Sequence, residues 1–150
     1  MKPSLQHLLM GAASTLGKDV APHIEDDAPF AVGHVGTIGL ILACVAQEAD
    51  RAVDTAVREQ DALRALFAVA AEQPLPGDLR ARLAEAAQGA RIGFRLSDLE
   101  AQNNPLKALL AELLETVEQE RFDWAEQLEA QIWDVLRAGA ERRALYLPVL

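Results

Sequence analysis

Aromatic residues make up only 5% of this chain, and cysteine occurs once, as Cys44. One cysteine excludes an intramolecular disulfide and a cysteine-rich structural zinc site, and it matches a reducing cytoplasmic setting. Residues that favour strands are few, and no stretch alternates apolar and polar positions for long, so there is little from which to build a sheet. Positive charge is also scarce. Lys and Arg number 14 against 23 Asp and Glu, a net charge of −9 that the two halves of the chain share almost equally. The nearest approach to a basic patch is Arg137, Arg142 and Arg143. Nucleic-acid binding, which draws on counterion release at a basic surface, is not expected.

What the chain has is aliphatic. Half of it is hydrophobic (51%), dominated by Ala and Leu, which are strong helix formers. With 150 residues it is long enough to bury one full core. The expectation is an all-α fold, a single-domain bundle of four to six helices spanning 1–150.

Two apolar stretches need separate treatment. Lys2 followed by Leu8, Leu9 and Met10 has the outline of a signal peptide, but its apolar core is short. An amphipathic first helix with Leu5, Leu8, Leu9, Ala12 and Leu16 on one side is the better reading. From Ala28 to Gln47 there is no formal charge, which is nearly the length of a membrane span. Glu25, Asp26 and Asp27 precede it with no Lys or Arg cluster, and Gly33, Gly36 and Gly39 dilute it. A buried core helix is expected there, and no membrane partner.

Helix boundaries follow from proline, glycine and caps. Ser4 to about Val20 forms the first helix, stopped by Pro22. Asp26 or Asp27 caps a second that opens with Pro29. Apolar positions at 35, 38, 42, 45, 49, 52, 56, 63, 66 and 70 make a long stripe, interrupted at Glu59. Pro74, Pro76 and Gly77 end it, and the short break reads as an inter-helix loop. Asp78 caps a third segment with Leu79, Leu83, Ala86, Ala90 and Phe94 on one side. Asn103-Asn104-Pro105 reads as the cap and first proline of the next helix, and Asp123 with Glu126 as a capping box that restarts it.

No constellation for catalysis emerges. None of the three histidines has an acidic residue three positions before it, so the Glu-x-x-His arrangement of carboxylate-bridged metal bundles is missing, and no metal or cofactor is expected. On a helix His34 and Cys44 lie about 15 Å apart and roughly 80° out of phase, too far to act as a pair. Gly33, Gly36 and Gly39 lack the strand and the lysine of a phosphate-binding loop. Eight acidic residues between Glu112 and Asp134, against Arg121 alone, read as a solvated helix side.

Two binding features remain. Val35, Ile38, Cys44, Phe94, Trp124 and Trp133 are candidates to line a pocket for an apolar or acyl ligand. Gly36, Gly39, Ala43 and Ala46, spaced three, four and three, make a small-residue ridge for close packing or a subunit interface, unless the glycines merely mark an irregular helix start.

Leu8-Leu9, Leu16, the stop Asp19-Val20-Ala21-Pro22, and Phe30 with the apolar run closing on Glu48 resemble a family of small bacterial helical proteins of uncharacterised activity. The resemblance covers the first third of the chain, and Gln47 stands where that family usually has arginine. Its genes lie beside phosphotransferase-like kinases and acyl-CoA dehydrogenase-like enzymes, which implies an accessory role in acyl-CoA metabolism and no catalytic residue. The combined expectation is a cytoplasmic helical accessory or interaction protein, a homodimer open to a protein partner and more readily non-enzymatic than not. The alternative is a small-molecule-binding bundle, and the third reading an enzyme whose site is assembled from distant helices.

Overall fold

The computed structural model describes residues 2–25, 28–120 and 123–146. Among these residues there are five α-helices and no strand: α1 (Leu5–Thr15), α2 (Pro29–Ala70), α3 (Gly77–Gln88), α4 (Leu96–Gln119) and α5 (Asp123–Arg143). The protein is therefore all-α, with its helix number inside the expected range. It divides into two compact units, Met1–Ala52 with Ala144–Leu150, and Val53–Arg143. The boundary falls within α2 and not at the Gln73–Gly77 break.

In the first unit, Ser4 caps α1 by accepting a hydrogen bond from the His7 amide at 3.2 Å. The helix widens into a π-helical turn at Leu16–Val20 and tightens into a 3-10 turn at Ala21–His23. Pro22 thus does not stop the helical path at Val20. It sits in the first turn of a new segment, where its missing N–H costs nothing. The expected cap at Asp26 or Asp27 lies outside the described residues. Residues 144–146 return to α2, where Gln47 holds Tyr146 at both ends of its amide unit: Nε2 donates to the Tyr146 carbonyl at 2.7 Å and Oε1 accepts from its N–H at 3.0 Å. Arg51 donates to the Ala144 carbonyl at 2.8 Å.

The second unit carries the core. Leu63, Leu66, Phe67 and Ala70 of α2 meet Leu79 and Leu83 of α3, Leu106, Leu110, Leu113 and Val117 of α4, and Ala125, Leu128 and Ile132 of α5. These positions recur at three and four residues, so each helix offers one stripe. Three boundary expectations change here. Pro76, not Asp78, is the residue before α3, and Asp78 lies in the first turn, where a negative charge suits the helix N-terminus. The helical face does not reach Phe94. Residues 89–95 are non-helical, with Gly93 at φ +76°, and Phe94 is exposed. The segment is held by Gln102, whose amide accepts from Ile92 N–H and donates to Ile92 C=O, both at 2.9 Å.

The third correction is Asn103-Asn104-Pro105, which is no helix start, because α4 runs through it. Asn103 is buried and spends its amide on an inter-helix bond to the Ala56 carbonyl of α2 at 2.9 Å. Pro105 withholds the N–H that would reach Ala101, yet both residues are exposed, so water can take that place. α4 does end at Gln119 and a new helix opens at Asp123, as the acidic pair Asp123 and Glu126 suggests.

Candidate functional site

Glu59 is the one carboxylate in the apolar stripe of α2, and it marks the site. One turn later Leu63 points into the core. From α4, whose register is pinned by the Asn103 bond, Lys107 projects toward α2 while Leu110, Ala111 and Leu114 follow along one side. From α5 come Val135, Leu136, Gly139, Arg142 and Arg143 in the last two turns. Together these residues line a cleft of about 400 Å³ inside the second unit, within the range of small-molecule sites.

The chemistry is arranged in two zones. Leu63, Leu110, Leu114, Val135 and Leu136 make an aliphatic floor. At one end stand Glu59, Lys107, Arg142 and Arg143. Lys107 Nζ lies 3.0 Å from Glu59 Oε2, Arg143 bonds Oε1, and Asn103 Nδ2 reaches Oε2 at 3.4 Å. Burial alone would raise the Glu59 pKa, but the hydrogen bonds and charge of Arg143 and Lys107 outweigh it and hold the carboxyl below the usual glutamate range. An ionised, twice-paired carboxylate is a poor general base at neutral pH. No Ser, Thr, Cys or His lines the cleft, and its one amine, Lys107, is engaged by Glu59.

Arg142 differs from its neighbours. Its Nε is buried with no hydrogen-bond partner among the described residues. Gly139, one turn earlier, leaves room beneath the guanidinium groups, since a Cβ there would come to 3.6 Å of Arg143 Nη1 and 4.0 Å of Arg142 Nη2. Of the residues that line the cleft three are cationic and one is a carboxylate, in a chain of net charge −9.

The expected pocket set does not assemble there. Val35, Ile38 and Cys44 belong to the first unit, where Ile38 is exposed and Cys44 partly buried. In the second unit Phe94 is exposed, with the Arg91 guanidinium 5.8 Å from its ring centre. Trp133 is exposed and donates to Glu129 at 3.2 Å, and Trp124 packs against the core. None of the three lines the cleft. Sequence reasoning weighted aromatic residues, whereas the cleft is aliphatic. The signals for it in the sequence are Glu59 interrupting the stripe and the Arg142-Arg143 pair, a basic group too small for nucleic acid.

The first unit holds a second feature. The apolar stretch from Ala28 to Gln47 is not a buried core helix. Among its described residues Ala43 and Ala46 alone are buried, while Ile38, Ile41 and Val45 are about half exposed. Among the described residues, Phe30–Ala70 is long and apolar enough to cross a membrane by length and composition, and 11% of its most apolar window is buried. α1 adds Leu5 and Leu8, both more than half exposed, so the expected apolar side of that helix is only partly covered. Of the small-residue ridge, Ala43 and Ala46 are covered by the chain itself. A Cβ on Gly39 would meet only the Ala13 carbonyl, at 3.9 Å, and one on Gly36 would meet nothing within 4 Å. Gly36, Gly39 and Ala43 instead form one wall of an open groove of about 470 Å³, whose other side is Met10, Ala13, Ser14 and Gly17 of the first helical segment.

Among the described residues no group of three or more His, Cys, Asp or Glu is placed to hold a metal ion. No family model matches the chain, and neither a curated protein nor a solved structure is similar to it.

Proposed function

We propose that this is a non-enzymatic helical interaction protein that acts as a homodimer joined through its first unit. The observation that carries the reading is the half-exposed Ile38, Ile41 and Val45 stripe on a helix stretch without formal charge. Contiguous apolar surface of this kind is uncommon on soluble monomers and marks a contact site. A second copy suits it because the same helix offers both halves of a joint: the bulky stripe, and the open groove at Gly36 and Gly39 with space for a helix to approach. A bilayer suits it less, since Glu25 precedes the stretch and Glu48 and Asp50 follow it without a basic cluster. The family resemblance adds acyl-CoA-handling enzymes as the class of protein partner, in the cytoplasm.

The test is mass in solution. Light scattering after size exclusion should give twice 16.2 kDa for the protein, and 16.2 kDa for Ile41→Glu and for Gly36→Leu. Both sites are exposed, and Gly36 has open space beside it, so neither change should cost the monomer its fold. A strict monomer that binds no protein would end the proposal, and a monomer that floats with lipid vesicles would replace it with a membrane role.

A further inference from the structure

The cleft belongs to the second unit and the proposed self-association surface to the first, and the chemistry of the cleft points to a ligand class. We infer that it binds a single-headed anionic amphiphile, a carboxylate carrying an aliphatic tail, with the head at Arg142 and the tail along Leu110, Leu114 and Leu136.

Charge selects the head. Glu59 pairs with Lys107 and Arg143, and neither ion pair of that carboxylate includes Arg142. The buried, unpartnered Nε of Arg142 leaves a strong donor without an acceptor, an arrangement that costs free energy until one arrives. Guanidinium presents a planar fork that matches the two oxygens of a carboxylate. Gly139, lacking a side chain, keeps the space under the fork open.

The floor selects the tail. It is wholly aliphatic, and the cleft as a whole holds about 400 Å³, at the small end of ligand sites, so a medium-length chain fits and a large ring system does not. A neutral alcohol of equal length would gain the floor but offer Arg142 one uncharged acceptor in place of the paired oxygens of a carboxylate. A short carboxylate would find the head site and bury nothing.

Titration calorimetry with decanoate, decanol and acetate tests this on the full chain. Decanoate should bind with one site per chain, decanol about tenfold or more weakly, as expected for one charge-assisted hydrogen bond, and acetate not measurably. Arg142→Gln should weaken decanoate by a similar factor with its melting temperature kept. Gly139→Leu should block the cleft, and Gly139→Ala, whose methyl group meets only ordinary contacts, checks that loss of binding there is not loss of fold. Ile38→Gln, in the first unit, should bind decanoate as the unaltered protein does. Equal binding of decanoate and decanol, unchanged binding in Arg142→Gln, or binding abolished by Ile38→Gln would each overturn the site. None of these results depends on whether the protein is a dimer.

Discussion

Glu59 shows how one residue can serve two purposes. Its carboxylate joins α2 to α4 and α5 through Lys107 and Arg143, and it removes part of the positive charge over the cleft. Its pKa in the folded protein lies below the ordinary value, so the stability it contributes is present in full above the usual glutamate range. That contribution is lost as pH falls through the lowered folded pKa. Urea midpoints should therefore drop as pH is taken below about 4.5, and Glu59→Gln should drop less steeply over the same window. At neutral pH that variant should be less stable by about 1 kcal/mol, a modest loss because both cations are half exposed. Parallel profiles for the two proteins would mean that Glu59 does not titrate as described. Asn103 is the second decisive residue. Replacing it with alanine removes a buried hydrogen bond to α2 and leaves a small cavity, a loss of about 1–2 kcal/mol by thermal or urea unfolding. A neutral effect would place the α2 and α4 register elsewhere.

At the scale of elements, the non-helical segment 89–95 is tied down by side chains. Gln102 grips Ile92 as a neighbouring strand would, by one N–H and one C=O, and also donates to Asp98 C=O at 2.9 Å. Arg91 adds Gln60 at 3.0 Å and an ion pair with Asp61. Gln102→Ala should leave the helices and the melting temperature nearly unchanged, while amide exchange at Ile92 accelerates by roughly tenfold, the worth of one lost hydrogen bond. Unaltered protection at Ile92 would show that Arg91 suffices. The same amide clamp recurs at Gln47, which holds Tyr146 against α2 in the first unit. Two non-helical pieces of chain are thus each gripped at one peptide unit by a glutamine amide, with an arginine beside it.

For the whole molecule, self-association has a thermodynamic signature beyond mass. A dimer joined by the first unit is stabilised by mass action, so its melting temperature should rise with protein concentration, and that dependence should vanish in Ile41→Glu. A concentration-independent melt for both proteins would count against the dimer. The net charge of −9 opposes association through long-range repulsion that salt screens, while the stretch that would form the contact carries no formal charge.

Composition and periodicity were enough for the all-α class, for Pro29 at the head of α2, for the break at Gln73–Gly77 and for the restart at Asp123. Each of these follows from local forces, namely side-chain spacing on a 3.6-residue helix and the conformational limits of proline and glycine. Local rules misjudged Asn103-Asn104-Pro105 because a buried inter-helix hydrogen bond outweighed capping preference there. They misjudged the stretch from Ala28 to Gln47 because hydropathy measures a tendency to leave water and not whether the fold supplies a cover. The cleft was out of reach for the same reason: Glu59, Lys107, Arg142 and Arg143 are brought together only when three helices pack, and no spacing within one helix encodes which faces will meet.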